Sequence, residues 1–150
     1  MEIKLRFLKP SDADLAEIAA ELNGPTWEVS IQNFSEQSLK NFLSDDHRFY
    51  LLGYLGEQIA GAIHGYYYLH PTGANYIWVD EVDVSEPMRQ KGVAGAMMQE
   101  VFRYAKERGA LEVWLGTEDD NAPALALYRS LNPTETEHGP TFSWKIDNGK

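Results

Sequence analysis

Between Val82 and Ala96 a β-branched, extended run, Val82-Asp83-Val84, breaks at Pro87 into a short basic turn, Arg89-Gln90-Lys91-Gly92, and a helical pattern begins. The first N–H groups of a helix have no intrahelical acceptor and lie at the positive end of its dipole, so such a turn can hold a phosphate group. Strand, glycine-bearing turn and helix must therefore follow one another here, and the rest of the chain can be placed around that anion site.

Upstream, Ile3, Leu5 and Phe7 alternate with charged residues and predict a first strand ending before Pro10. Ser11 with Asp14 three residues on reads as a capping-box helix start, and Leu15, Ile18, Ala19 and Leu22 supply its apolar stripe as far as Gly24-Pro25. Residues 26–34 read as loop. Ser35 to Asp45 predicts a short helix with Leu39, Phe42 and Leu43 on one face.

Two strand-like runs, Arg48 to Leu55 and Gln58 to Leu69, flank a Gly56-Glu57 turn, and a third, Ala74 to Val84, follows His70-Pro71-Thr72-Gly73. Together they predict an antiparallel meander. Ala96 to Arg108 then reads as a helix with Met97, Val101, Phe102 and Ala105 inward and Gly109 as its stop. Leu111 to Leu115 is expected as a strand parallel to the third meander strand, Asn121 to Ser130 as a helix with Pro123 in its first turn, and Thr141 to Ile146 as a last strand. The fold class is α/β (α+β), a mixed, mostly antiparallel twisted sheet flanked by helices.

At 150 residues, with 43% hydrophobic and 24% charged residues, the expectation is a single domain, 1–150, with a sizeable core. The absence of cysteine excludes a thiol nucleophile, a disulfide framework and thiolate metal sites. Four histidines, His47, His64, His70 and His138, show no metal-ligand spacing, so no metal is expected and each reads as structural or exposed. A formal charge of −10 opposes nucleic acid and anionic membranes and favours cationic partners. The charged N-terminal alternation lacks the apolar core of a signal peptide or membrane span, so the expected location is cytoplasmic.

Arg89-Gln90-Lys91-Gly92-Val93-Ala94 resembles the acyl-CoA pyrophosphate signature of the GNAT superfamily of N-acetyltransferases, in which Arg or Gln, two residues, Gly, one residue and Gly or Ala follow in turn. Downstream, Asn121-Ala122-Pro123-Ala124-Leu125-Ala126-Leu127-Tyr128 resembles the Asn-x-x-Ala-x-x-Leu-Tyr helix of that superfamily, and element order agrees along essentially the whole chain. Asp119-Asp120 before that helix, and Tyr76-Ile77-Trp78 leading into Glu81, are similar more narrowly to the type I aminoglycoside 3-N-acetyltransferases. One departure is Leu131-Asn132-Pro133 where the family commonly has Gly-Phe; Asn followed by Pro can still end the helix.

The resemblance implies acetyl-CoA as donor. It places Val82, Asp83 and Val84 along the pantetheine arm, the turn and helix start Arg89, Gln90, Lys91, Gly92, Val93, Ala94, Gly95 and Ala96 at the pyrophosphate, and Asn121 and Ala124 among the cofactor-binding residues. An ammonium must lose a proton before its nitrogen can attack a thioester, and Glu81 stands where the family often has that base, flanked by Trp78, Val79 and Val82 that would raise its pKa. Tyr128 stands at the family's tyrosine, the proton donor to the departing thiolate.

Asp80 and Asp83 are expected on the strand face opposite Glu81, unless a bulge upsets the alternation. Asp80, with Glu118, Asp119 and Asp120, could make a negative acceptor site. The acceptor implied is a small cationic amine, an aminoglycoside being the sharpest choice and a polyamine, amino acid or protein amine the others; a homodimer is left open. Two other classes stay open: an acyl-CoA sensor without turnover, and a nucleotide-binding module, the latter disfavoured because no Lys-Ser/Thr pair follows the glycine.

Overall fold

Alternating apolar and charged side chains make Ile3–Phe7 the first strand, β1, an edge strand that is half-buried. It pairs antiparallel with β2, Arg48–Leu55, which turns through Gly56-Glu57 into β3, Gln58–Tyr68. β3 pairs antiparallel with β4, Tyr76–Val84, and β5, Glu112–Leu115, adds parallel to β4. The sheet order is β1-β2-β3-β4-β5, so the predicted meander and the parallel addition are both present. This computed structural model describes residues 2–28, 33–147 and 149, in two compact units, Met1–Gly116 and Thr117–Lys150.

Two helices cover one face of the sheet. Helix α1, Leu15–Leu22, and helix α2, Glu36–Leu43, bury Leu15, Ile18, Leu22, Leu39 and Leu43 against Tyr50, Leu52, Ile59 and Ala62. Helix α3, Val93–Arg108, links β4 to β5 and covers the other face with Val93, Met97, Met98, Val101 and Ala105. Each such aliphatic side chain removed from water contributes on the order of 1.5–3 kcal/mol, which is what fixes the two layers on the sheet. Among the described residues no helix is long and apolar enough to cross a membrane.

Helix α2 starts as predicted: Ser35 accepts from the Ser38 N–H at 2.9 Å and the Ser38 hydroxyl accepts from the Ser35 N–H, a reciprocal cap. Helix α1 does not. Ser11 lies in a turn and Asp14 is the N-cap without a side-chain capping bond. The reason is that both Asp14 oxygens accept from Arg6, at 2.8 and 2.7 Å, and a charge-assisted fork outcompetes a single capping bond. Helix α3 begins at Val93 rather than Ala96, because Gly92 at φ +82° ends the turn directly at the helix. Of the loop expected over 26–34, the described residues 26–28 and 33–34 are irregular, Trp27 is buried, and 29–32 lie outside the described residues.

The second unit contains helix α4, Ala122–Ser130. Thr141–Ile146 is not a strand. Its alternation is strand-like, but it joins no ladder, and the apolar set Phe142, Trp144 and Ile146 is exposed. Alternation specifies a strand only where a partner edge satisfies the backbone and a core takes the apolar face.

Candidate active site

The centre of the first unit is an irregularity in β4. His64 of β3 stands opposite Glu81, but the next residue, Gly65, stands opposite Val79, leaving Asp80 as the extra residue of a β-bulge. The strands come so close there that a Cβ on Gly65 would lie 2.0 Å from the Trp78 carbonyl oxygen, so the position admits only glycine.

This overturns the expected disposition of the acids. Residues two apart on a strand share a face, so Asp83 belongs with Glu81 by the pleat itself. The bulge swings Asp80 round as well, and Asp80 and Glu81 line the same cavity. Burial pushes the Glu81 carboxyl upward, and the nearby charge of Asp80 adds to this, while its hydrogen bond with Asp83 works against it. Asp83 is pushed up to about 6, chiefly by burial, then by the charge of Glu81 and the hydrogen bond between them. The two carboxyls are raised together and titrate as a pair.

His64 completes the group and was read from sequence as structural or exposed. Its ring is largely buried, with Nδ1 3.8 Å from Asp80 and Nε2 3.7 Å from Glu81, and stacks on Tyr50 with centroids 5.3 Å apart. Burial pulls its pKa down, against the raising influence of Asp80 and Asp83, so the imidazole is neutral near pH 7. The donor atoms of His64, Asp80 and Glu81 lie within 4.8 Å of one another. Their closest approaches use opposite ring nitrogens, which suits a ring held between two carboxylates better than a set facing one ion. The signal that could have found His64 is register, since it sits directly across from Glu81, but register depends on the bulge.

A cavity of about 460 Å³ opens over this group, within the size range of small-molecule sites. Phe34, Leu39, Phe42 and Tyr50 wall it, and Asn33 and Ser38 lie at its margin toward α2. Burial, with the charges of Asp83 and Glu81, keeps the Tyr50 phenol protonated. A second cavity, about 20 Å³, adjoins Asp83 and Tyr50, enough for one water molecule. Tyr66 and Tyr68 are exposed and Tyr67 is buried, as alternation requires, but none of the three lines the larger cavity.

Beyond β4 the chain makes a 3-10 turn, Glu86–Met88, passes Gln90 at φ +62° and Gly92 at φ +82°, and enters α3. Ala96 makes the first intrahelical bond, to Gly92 at 3.0 Å, so the N–H groups of Val93, Ala94 and Gly95 precede the helical ladder. A Cβ at Gly92 or Gly95 would meet nothing within 4 Å, leaving the backbone open to an approaching group. Lys91 is exposed, and the Arg89 guanidinium lies 3.7 Å from Glu28. β5 pairs with β4 only from Tyr76 to Val79. Among the described residues Asp80–Val84 therefore has no strand partner on that side.

In the second unit Asn121 caps α4, its Oδ1 accepting from the Ala124 N–H at 3.2 Å. The Asn-to-Ala spacing of the motif thus has a local purpose, to start the helix. Tyr128 is half-buried on that helix. Glu118, Asp119 and Asp120 are exposed, and Asp119 lies 3.1 Å from His138.

Residues 15–132 match the family described as the acetyltransferase (GNAT) family. The chain is 29% identical over 137 residues to the mycothiol acetyltransferase of Saccharomonospora viridis, covering 86% of this chain and 45% of that protein. The chain spans about half or less of the length of the curated relatives it matches. Among solved structures, an aminoglycoside acetyltransferase from an uncultured soil metagenomic sample superposes with a TM-score of 0.83 at 19% identity, over 97% of this chain and 99% of that one. Aminoglycoside N-acetyltransferase AAC(6')-Iy in complex with CoA superposes with a TM-score of 0.77 at 16% identity, over 97% and 96%. These likenesses show the same fold.

Proposed function

For a chain that belongs to the acetyltransferase (GNAT) family, we propose acetyl-CoA-dependent N-acetyl transfer to a primary amine of a small cationic acceptor, by direct attack in a ternary complex. The observation that carries this reading is the Glu81 carboxylate, lining the cavity beside Asp80 and 3.7 Å from the His64 ring, on the strand that leads through one turn to the open N–H groups after Gly92. A proton acceptor and an anion cradle are what amine acylation by a thioester of CoA needs from a protein.

Residues assigned to the donor are the N–H groups from Gln90 to Gly95, with Arg89, Lys91 and the helix start at Ala96, for the pyrophosphate, the unpaired β4 edge at Val82, Asp83 and Val84 for the pantetheine arm, and Asn121 and Ala124 on α4. Acetyl-CoA, when bound, supplies the acetyl group as an activated thioester. Glu81, sharing its charge with Asp83, takes one proton from the acceptor ammonium and frees the nitrogen lone pair. That lone pair forms the new C–N bond as the C–S bond breaks, with its electron pair going to sulfur. Tyr128 gives the sulfur its proton and recovers one when the nitrogen, now an amide, sheds its second. The products are an N-acetylated amine and the free thiol of CoA, with one proton released.

The two compact units are proposed to act as one acetyltransferase domain over 1–150, since the family match runs through both, and the acidic, cysteine-free composition suits a cytoplasmic setting. Aminoglycosides are one acceptor class within this reading. They are supported by the names of similar folds and by exposed carboxylates within each unit, Asp80 in the first and Glu118, Asp119 and Asp120 in the second, which suit cationic groups. A thermal shift with acetyl-CoA tests the donor site, because a ligand of the native state must raise Tm. Thiol release over aminoglycosides, polyamines and amino acids then tests turnover. Binding of acetyl-CoA with no release for any amine would replace the enzyme by a sensor.

A further inference from the structure

The cavity over Asp80 and Glu81 says more about the acceptor than its charge. Its walls are apolar: Phe42 meets Tyr50 edge-on with centroids 6.1 Å apart, Phe34 meets the same ring at 6.2 Å, and Leu39 fills the side toward α2. The His64 ring meets Phe42 edge-on at 5.6 Å, so aromatic rings share the cavity with the carboxylates. No Lys or Arg is among the described residues that line it. Among the described residues that line it, Asn33, Ser38 and Tyr50 are the ones that could meet a neutral hydroxyl group, beside His64 and the acids themselves.

Such a site has one strongly polar end and one strongly apolar body. An ammonium is drawn to Asp80 and Glu81, while a group attached to it is rewarded for apolar surface and ring faces and penalised for hydroxyls that lose water without finding partners. A polyhydroxylated polycation would leave most of its polar atoms unmatched there. Resting on the acetyltransferase reading of the same site, we infer that the acceptor is a primary amine joined through a short linker to an aromatic ring, its ammonium between Asp80 and Glu81 and its ring against Phe34, Phe42 and Tyr50.

The test measures binding as well as turnover. Calorimetric titration of 2-phenylethylamine, ethylamine, putrescine and kanamycin is done on the free chain and on the chain loaded with CoA, beside thiol release with acetyl-CoA. The expected result is 2-phenylethylamine bound roughly tenfold or more tightly than ethylamine, putrescine or kanamycin, the preference a buried ring gives, and the same order in kcat/KM. Phe42→Ala should remove that preference. Phe42→Leu keeps more of the packing on α2 and should reduce it in part if the alanine variant fails to fold. Asp80→Asn should weaken every amine by a similar factor and leave the ratio between them intact. Kanamycin or putrescine binding as well as 2-phenylethylamine, or an unchanged ratio in Phe42→Leu, overturns the inference. Failure of CoA to bind would sink the donor assignment separately, since the amine titrations on the free chain are read without it.

Discussion

Asp80–Val84 and Arg89–Gly95 are neighbours in sequence and opposites in physics. The first is a half-buried strand segment in which burial pushes the Glu81 and Asp83 carboxyls above their ordinary range. The second is an exposed turn, Arg89–Gly92, leading into the helix start, whose binding capacity lies in backbone N–H groups and whose shape is set by residues of positive φ. One site is made by what stands across the sheet, the other by local backbone conformation. The difference predicts how each will fail: the acid segment through chemistry and register, the turn through conformation and cofactor affinity.

The largest expected effect is on the acid side. Replacing both members of the pair, Glu81→Gln with Asp83→Asn, should lower kcat on the order of 10²- to 10³-fold, the usual loss for a proton acceptor, with acetyl-CoA affinity kept within a few-fold. Retention of activity would move proton transfer elsewhere, His64 being the nearest neutral base. The acid limb of the wild-type rate profile should fall near pH 6, where Asp83 titrates, and Asp83→Asn should displace it. Stability moves the other way: a carboxyl raised from 3.8 to about 6 by folding favours the native state below pH 4 and loses that contribution as pH rises through 6. Tm should therefore decline over that interval, less steeply in Asp83→Asn.

Next in size is Gly65→Ala. A methyl group 2.0 Å from the Trp78 carbonyl cannot be accommodated by a side-chain rotation, so the strands must part, at a cost of about 3 kcal/mol or more. Urea unfolding measures the loss. A stability within about 0.5 kcal/mol of wild type would mean that the bulge yields freely, and the rigid placement of Asp80 and Glu81 would have to be abandoned.

Sequence pattern resolves these two regions unequally. The turn is legible because glycine, the basic residues and the following helix are all local signals, and the Asn-to-Tyr helix is legible as a cap followed by a stripe. The elements of the sheet were legible too, since alternation and Gly56-Glu57 specify β2 and β3 without reference to anything distant. Asp80 was not, because a bulge is a mismatch between two strands and neither strand carries it alone. His64 was hidden for the same reason. Ser11 misled because Arg6, eight residues before Asp14, takes the capping carboxylate, and Thr141–Ile146 misled because alternation does not report whether a partner edge exists. Asp83 is a different case, since the period of two already placed it with Glu81.

On the turn side, Gly92→Ala forces a Cβ into the left-handed region at φ +82°, costing about 1–2 kcal/mol, while the space around that Cβ is open. If the backbone there carries the pyrophosphate, acetyl-CoA affinity should drop roughly tenfold beyond what the lost stability explains, as calorimetry on the folded variant would show. A fall in Tm with unchanged affinity would reduce Gly92 to a conformational role and shift the phosphate contacts to Gly95 and the helix start.

The smallest effect separates two purposes of one motif residue. Asn121 caps α4 through the Ala124 N–H, and Asn121→Ala should cost about 1 kcal/mol, the usual value of an N-cap, seen as faster amide exchange over Ala122–Leu125. Asn121→Ser restores the capping oxygen, so exchange should return to the wild-type rate. Acetyl-CoA affinity then discriminates. If serine rescues the helix and affinity together, Asn121 serves the cofactor only by holding α4 in place. If the helix is rescued and affinity is not, the amide itself touches the cofactor, and the motif is read by chemistry as well as by conformation.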